Sequence, residues 1–201
     1  MKTHNSFDEQ YVFAGKAKTW SLIAIVIGVI VIAAGFLTGA VERTFANMLL
    51  MGYYFTCVCA AGVMFCAIQY VAQAGWSASM IRIPQAFGKV LPIAGLILLA
   101  IVIAGLSIKH TVVEDGKSYI SPYLYGHWAS HDLTVKGSAI YDSVIASKSG
   151  FLNVPFFLIR MVGMLGIYSL FGWLLFKYSN NEDEIGGMKY YNKSFVASCV
   201  F

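Results

Sequence analysis

Residues 46–92 read ANMLLMGYYFTCVCAAGVMFCAIQYVAQAGWSASMIRIPQAFGKVLP, and this stretch decides the fold. It begins as a long apolar run with a seam of tyrosine, cysteine and glutamine side chains, and the run ends at Gly75-Trp76. A short basic segment containing Pro84 follows, and a second apolar run opens at Leu91-Pro92. A bilayer accounts for this order, because a helix needs about 20 apolar residues to cross its hydrocarbon core.

The composition of the whole chain agrees with that interpretation. Of 201 residues, 58% are hydrophobic and 12% are charged, and the mean hydropathy is +0.69. Soluble domains carry about 25% charged residues, so the chain is expected to be a membrane protein. The net charge of +4 is spread along the chain without a basic stripe, which argues against a nucleic-acid partner.

The apolar runs predict an all-α, polytopic transmembrane helix bundle with about four complete spans and the start of a fifth. Residues 1–18 are polar, and the first run is too long for a signal peptide, so it should remain in the mature protein. The final SFVASCVF stops soon after it becomes apolar, so we expect the chain to be the N-terminal part of a longer one. The predicted spans cover residues 19–40, 46–74, 91–108 and 154–178, and the fifth starts at 194.

The connections between spans predict the topology. Residues 76–90 have apolar and basic residues at helical spacing and are expected to lie as an elbow in the membrane interface. Pro84 argues against one uninterrupted helix through that segment. Residues 109–153 form a long polar loop rich in aromatic residues, expected to be a folded cap or a partner-binding surface. The distribution of lysine and arginine favours a cytoplasmic N-terminus and an external long loop.

Four residues are candidate contacts for a proton path, a lipid or a quinone. Gln69 and Tyr70 lie on the seam of the second span, where a buried amide needs a partner, and structural packing is the competing interpretation. Tyr54 belongs to the same seam. Arg160 is charged inside the last complete span; it either snorkels to the interface or serves a carboxylate or a lipid phosphate. No catalytic residue is identified.

The histidines argue against a bound haem or metal. A membrane haem protein needs histidines on its spans, whereas every histidine here lies outside the apolar runs. His127 and His131 have a metal-compatible spacing if helical, but Trp128 stands where a HExxH motif has glutamate. We therefore expect no metal or cofactor bound by this chain. Nucleotide-binding and hydrolase motifs are missing from the sequence.

Several segments in order carry a resemblance to a known family. These are RTFANMLLMGYYFTCVCAAGVMFCAIQYVAQAGWSASMIRIPQAF, the LP that opens a span, the YGHW of the long loop, and LNVPFFLIRMV. Together they resemble the ActF-like subunit of bacterial alternative complex III, a quinol:cytochrome c oxidoreductase. That subunit belongs to the NrfD/PsrC-like integral membrane proteins. The resemblance covers about residues 20–201, most of the chain.

The resemblance implies a subunit of the bacterial inner membrane that supplies the first of two helical bundles. Its partners would be iron–sulfur, cytochrome c and paralogous membrane subunits, with a terminal oxidase as one possible electron acceptor. Iron–sulfur clusters and haem c would reside in those partners, while this subunit has no redox centre and supports assembly or proton translocation. Lipids and a quinone are its implied small-molecule contacts.

Two other functions stay open at this stage. The chain could be a non-catalytic scaffold or lipid-organising membrane subunit. It could also be a fragment of a secondary transporter, although such proteins show inverted repeats and broken helices at the membrane midplane. The spans here have neither a clear repeat nor a midplane charge, which counts against a transporter.

Overall fold

The computed structural model describes residues 15–114, 116–138 and 140–201, most of which are helical. The predicted N-terminal segment 1–18 therefore lies largely outside the described residues. The elements in chain order are α1 (Lys16–Leu37), α2 (Val41–Val71), a 3₁₀ helix (Gly75–Ser79), α3 (Arg82–Ser107), β1 (Lys109–Glu114), β2 (Lys117–Pro122), α4 (Gly126–Ala129), a second 3₁₀ helix (His131–Leu133), α5 (Ser143–Ser147), α6 (Val154–Ile185) and α7 (Met188–Val200).

Helices α1, α2, α3 and α6 are long and apolar enough to cross a membrane. The chain is thus a helical membrane protein with four candidate spans, as the composition predicts. It divides into two compact units, residues up to Thr44 and Phe45–Phe201. In α1, which belongs to the first unit, no residue is buried.

The start of α3 differs from the predicted elbow. Residues 82–107 form one continuous helix, so residues 72–81, which include the 3₁₀ helix Gly75–Ser79, separate α2 from α3. Pro84 is the third residue of α3, where the backbone N–H has no partner within the helix in any case. The proline is therefore tolerated within α3. Residues 76–90 are not one uninterrupted helix, but the interruption lies at Met80 and Ile81, before Pro84. The interfacial position of this segment stays a prediction. Pro92 lies inside α3 and does not open it.

The other end of the last complete span also differs from expectation. Helix α6 continues to Ile185 instead of ending near Tyr178, and α7 already begins at Met188. The predicted polar turn is reduced to Gly186 and Gly187, whose φ angles are 73° and 80°. Glycine adopts this left-handed region without strain, so two residues suffice to reverse the chain. Helix α7 then packs back along α6.

The long loop adds a two-stranded sheet to the predicted all-α fold. Strands β1 and β2 pair antiparallel with Val112 opposite Tyr119, and β-branched and aromatic residues favour this conformation. The next residues fold over the end of α3: the Leu124 N–H donates to the Gly105 carbonyl at 3.1 Å. The Leu124 side chain is buried against Gly105, which has no Cβ to obstruct it.

Three helices of the second unit cross where each carries a glycine. A Cβ on Gly62 of α2 would lie 2.8 Å from the Pro84 carbonyl oxygen, and one on Gly172 of α6 would lie 3.0 Å from the Val63 side chain. Gly88 of α3 faces the same place. Small residues that let helix backbones approach closely are typical of membrane helix packing. Around this crossing lies a core cluster that includes Cys59, Val63, Cys66, Leu91 and Leu175.

Candidate functional site

A polar pocket lies at the end of the second unit where α2 and α6 finish and α3 begins; we call it the pocket end. Its volume is about 160 Å³. The opposite end, which carries the hairpin and the rest of residues 109–153, is called the loop end. Twelve residues from five segments line the pocket: Gln69, Tyr70, Ala74, Gly75, Ser77, Ala78, Ile81, Arg82, Ser179, Glu182, Asp183 and Tyr191.

The turn after α2 forms one wall of this pocket. Gln73 adopts the left-handed conformation with φ 49°, and the Ala74 N–H reaches back to the Gln69 carbonyl at 3.1 Å. This pattern resembles the usual helix C-terminus, which satisfies free carbonyls through a left-handed residue. Ser77 is buried in the following 3₁₀ helix and donates to the Ala74 carbonyl at 2.7 Å. Apolar sequence therefore ends at Gln73, two residues before the Gly75-Trp76 break.

Arg82 is the central charge of the pocket and ties α3 to α6. Its Nη1 donates to Asn180 Oδ1 at 2.8 Å and to Gln85 Oε1 at 3.0 Å. Its Nη2 forms an ion pair with Asp183 and donates to the Ser179 carbonyl at 3.4 Å. One guanidinium thus serves four acceptors, using the planar fork of donors that distinguishes arginine from lysine.

The pocket also contains groups that need water. Gln69 is 8% exposed, and its Oε1 has no hydrogen-bond partner among the described residues. A buried polar atom without a partner costs free energy, and a cavity of this size and polarity has room for several waters. Glu182 and Asp183 add two carboxyl groups to the wall. The pocket therefore fits hydrated ions and protons from the adjacent solution better than an apolar ligand.

The polar lining of the pocket ends one to two helical turns into the bundle, counted from the pocket end. There Val63, Cys66, Leu91 and Leu175 are between 0% and 2% exposed and pack together. A neighbouring void of about 10 Å³ beside Gln85 is at the lower limit for one water. Among the described residues, the pocket is thus a vestibule closed by apolar packing and does not continue as a path across the bundle.

The structure brings together two of the four residues chosen from the sequence. Gln69 and Tyr70 both line the pocket and are buried. Tyr54 lies 15 residues earlier on α2, about 22 Å along the helix, and is 65% exposed. Arg160 belongs to the loop end, because it lies near the start of α6 whereas Glu182 lies near its end.

Sequence reasoning missed the residues that dominate the pocket, Arg82, Asn180 and Asp183. Arg82 lies in the segment 76–90 that is predicted to be an interfacial elbow, and Asn180 and Asp183 lie in the predicted connection between residue 178 and the span that starts at 194. One usable signal was present: the predicted topology puts the basic elbow and the acidic NNEDE segment (180–184) on the same side of the membrane. Opposite charges on one side of a bundle are candidates for pairing.

The loop end has its own cluster of aromatic rings. Tyr125, Trp128 and Phe157 lie with ring centroids 5.2–5.5 Å apart. These contacts hold the YGHW segment against the start of α6, and burial there raises the pKa of Tyr125 above its ordinary value. His127 and His131 are both exposed. In the described part of the chain, no three His, Cys, Asp or Glu side chains lie close enough together to hold a metal ion.

The fold and the pocket define a helical membrane protein with four candidate spans and a polar pocket at one end of its second unit. No family model matches the chain, and a search of curated proteins also finds no match.

Proposed function

We propose that this chain is an integral membrane subunit of a respiratory complex that oxidises quinol and delivers electrons to cytochrome c or to an oxidase. The subunit has no redox centre of its own. It supports the assembly in the bacterial inner membrane, with the N-terminus cytoplasmic, and the pocket end is where a proton path would meet the cytoplasm.

One observation carries this proposal: the ordered set of segments that resembles the ActF-like subunits of alternative complex III. The set includes the long second span, AGWS and RIP between the second and third spans, and LNVPFFLIRMV at the start of α6. These segments supply contacts within the second unit, since RIP carries Arg82 of the pocket and Pro84, whose carbonyl faces Gly62. LNVPFF supplies the cap and first turn of α6. The same residues thus account for both the resemblance and the packing.

The exposed surface agrees with a role inside an assembly. Helix α1 buries no residue, and a Cβ on Gly28 would meet nothing within 4 Å. Small residues such as Gly28 allow a neighbouring helix to approach closely in a membrane. The iron–sulfur and haem c centres of the complex would then lie in partner subunits.

Affinity purification in a mild detergent tests the proposal. A tagged form of this chain should bring down iron–sulfur and c-type cytochrome subunits, identified by mass spectrometry, together with a paralogous membrane subunit. Recovery of the chain alone from membranes that contain those subunits would contradict the proposal.

A scaffold or lipid-organising role within the same kind of complex is the second candidate, and one observation favours it. The polar vestibule is closed by Val63, Cys66, Leu91 and Leu175, so the described residues provide no route for protons across the bundle. The two candidates differ in one measurement: replacing Glu182 by Gln would slow proton release or uptake in a proton-conducting subunit and leave it unchanged in a scaffold.

A further inference from the structure

Arg160 is a charged residue on a candidate span, and its place on α6 is the first step of the argument. It follows Val154 by six residues, about 9 Å at 1.5 Å rise per residue. The residues of α6 that pack on the neighbouring core cluster of α3 are Val154, Phe157, Leu158 and Met161. Arg160 is outside that set, on the flank of the helix, and its neighbour Ile159 is 67% exposed.

Two aromatic rings hold the guanidinium of Arg160, and no acid does. Its Cζ lies 3.8 Å from the ring centroid of Phe151 and 4.6 Å from that of Phe156. Both rings precede Arg160 in the chain, which fits the lean of helical side chains toward the N-terminus. Within the described residues Arg160 has no ion pair, and its Nη1 is shielded from solvent without a hydrogen-bond partner. The two rings therefore hold the guanidinium in place, and no described acidic side chain forms an ion pair with it.

A second cation, Lys148, lies near Arg160 in the part of the chain that the structure describes. The first turn of α6 is capped by Asn153, whose Oδ1 accepts from the Phe156 N–H at 2.8 Å. Lys148 is exposed and, with Phe151, lines an open groove of about 520 Å³. Phe151 itself is 60% exposed. Arg160 and Lys148 thus both lie beside one exposed aromatic ring near the start of a candidate span.

We propose that Arg160 and Lys148 bind the phosphate of an anionic phospholipid at the loop end, with Phe151 packed against the glycerol and upper acyl chain. A guanidinium has five N–H donors, so the donors other than the shielded Nη1 are left for phosphate oxygens. A long basic side chain near a helix end reaches the interface. The apolar surroundings favour a lipid over free phosphate, since Phe156 and Ile159 are both exposed beside the cation. The site is independent of the respiratory function proposed above.

Native mass spectrometry of the delipidated full chain, with any partner subunits it retains, tests this site. Phosphatidylglycerol should bind more tightly than phosphatidylcholine, and millimolar inorganic phosphate should not displace it. Because a hydrogen bond to a charged group contributes more than a neutral one, Arg160→Leu should weaken phosphatidylglycerol binding about 10- to 100-fold. Arg160→Lys, which keeps the charge but loses the fork, should give an intermediate loss.

Lys177→Leu is the matched control, because Lys177 also lies on α6 beside an aromatic ring, with Nζ 4.8 Å from the Trp173 ring centroid, but toward the pocket end. The affinity of the Lys177→Leu variant for phosphatidylglycerol should stay within twofold of the wild-type affinity. Three outcomes would overturn the proposal. Lys177→Leu could weaken binding as much as Arg160→Leu does, Arg160→Leu could leave binding unchanged, or the wild type could bind the two lipids with equal affinity. Displacement by inorganic phosphate would instead assign a free-phosphate site and overturn the lipid. If Arg160→Leu does not fold, Phe151→Ala keeps the cation and must still lower the affinity.

Discussion

The crossing of α2 over α3 at Gly62 gives a sharp test of the packing. A Cβ at Gly62 would lie 2.8 Å from the Pro84 carbonyl oxygen and 2.9 Å from Phe87 Cβ, which are closer than van der Waals contact allows. Because one of these atoms is backbone, rotation of a side chain cannot relieve the contact and the helices must separate. Overpacking of this kind costs about 1–3 kcal/mol, while Gly→Ala in a helix regains about 0.5–1 kcal/mol.

The expected net effect of Gly62→Ala is a loss of about 1–2 kcal/mol, or a fall in Tm of about 2–8 °C for a chain of this size. Gly166→Ala on α6 is the matched control, since a Cβ there meets nothing within 4 Å; it should leave Tm unchanged or raise it slightly. Thermal unfolding of both variants in the same detergent measures the difference. Equal Tm values for the two variants would refute a backbone contact between α2 and α3 at Gly62.

Three further predictions concern the pocket, the core and the topology. Arg82→Gln should lower the free energy of unfolding by about 1–2 kcal/mol, because several acceptors lose a partly exposed charged donor. Lys136→Gln, at an exposed position, should change it by less than about 0.5 kcal/mol, and denaturant titration in detergent compares the two variants. In a variant whose exposed Cys57 and Cys199 are replaced by serine, Cys66, which is 2% exposed, should resist a water-soluble maleimide until the protein is unfolded. Rapid labelling of Cys66 in that folded variant would contradict its place in the core. Cysteines introduced at Ser138 and Glu184 should react with that reagent from opposite sides of the membrane. The cysteine at 138 should react from outside intact cells, and the cysteine at 184 only after permeabilisation. Labelling of both from one side would contradict the topology.

The spans could be predicted because membrane insertion depends on length and composition. A helix satisfies its own backbone hydrogen bonds in lipid, so an apolar run of sufficient length predicts a helix without knowledge of its neighbours. The predicted span 91–108 and helix Arg82–Ser107 share their C-terminal end for this reason. Their N-terminal ends differ because the effect of Pro84 depends on its position within the helix, which a pattern of apolar residues does not give.

The candidate site was harder to predict because it depends on contacts between distant parts of the chain. Gln69 and Tyr70 could be found, since polar side chains in an apolar helix require partners. The partner of Arg82 is Asp183, 101 residues further along, and no local pattern links them. The turn that brings Asp183 into reach needs only Gly186 and Gly187, whereas the sequence suggested a longer polar connection.

The most direct test of the central proposal is electron transfer in material purified through this chain. A tagged chain is isolated from membranes in mild detergent, a reduced quinol is added without oxygen, and the haem c absorption band is followed. The account predicts that the purified material contains haem c and that the quinol reduces it. Material that contains the intact chain but no haem c, or haem c that the quinol leaves oxidised, would contradict a place for this protein in a quinol-oxidising complex.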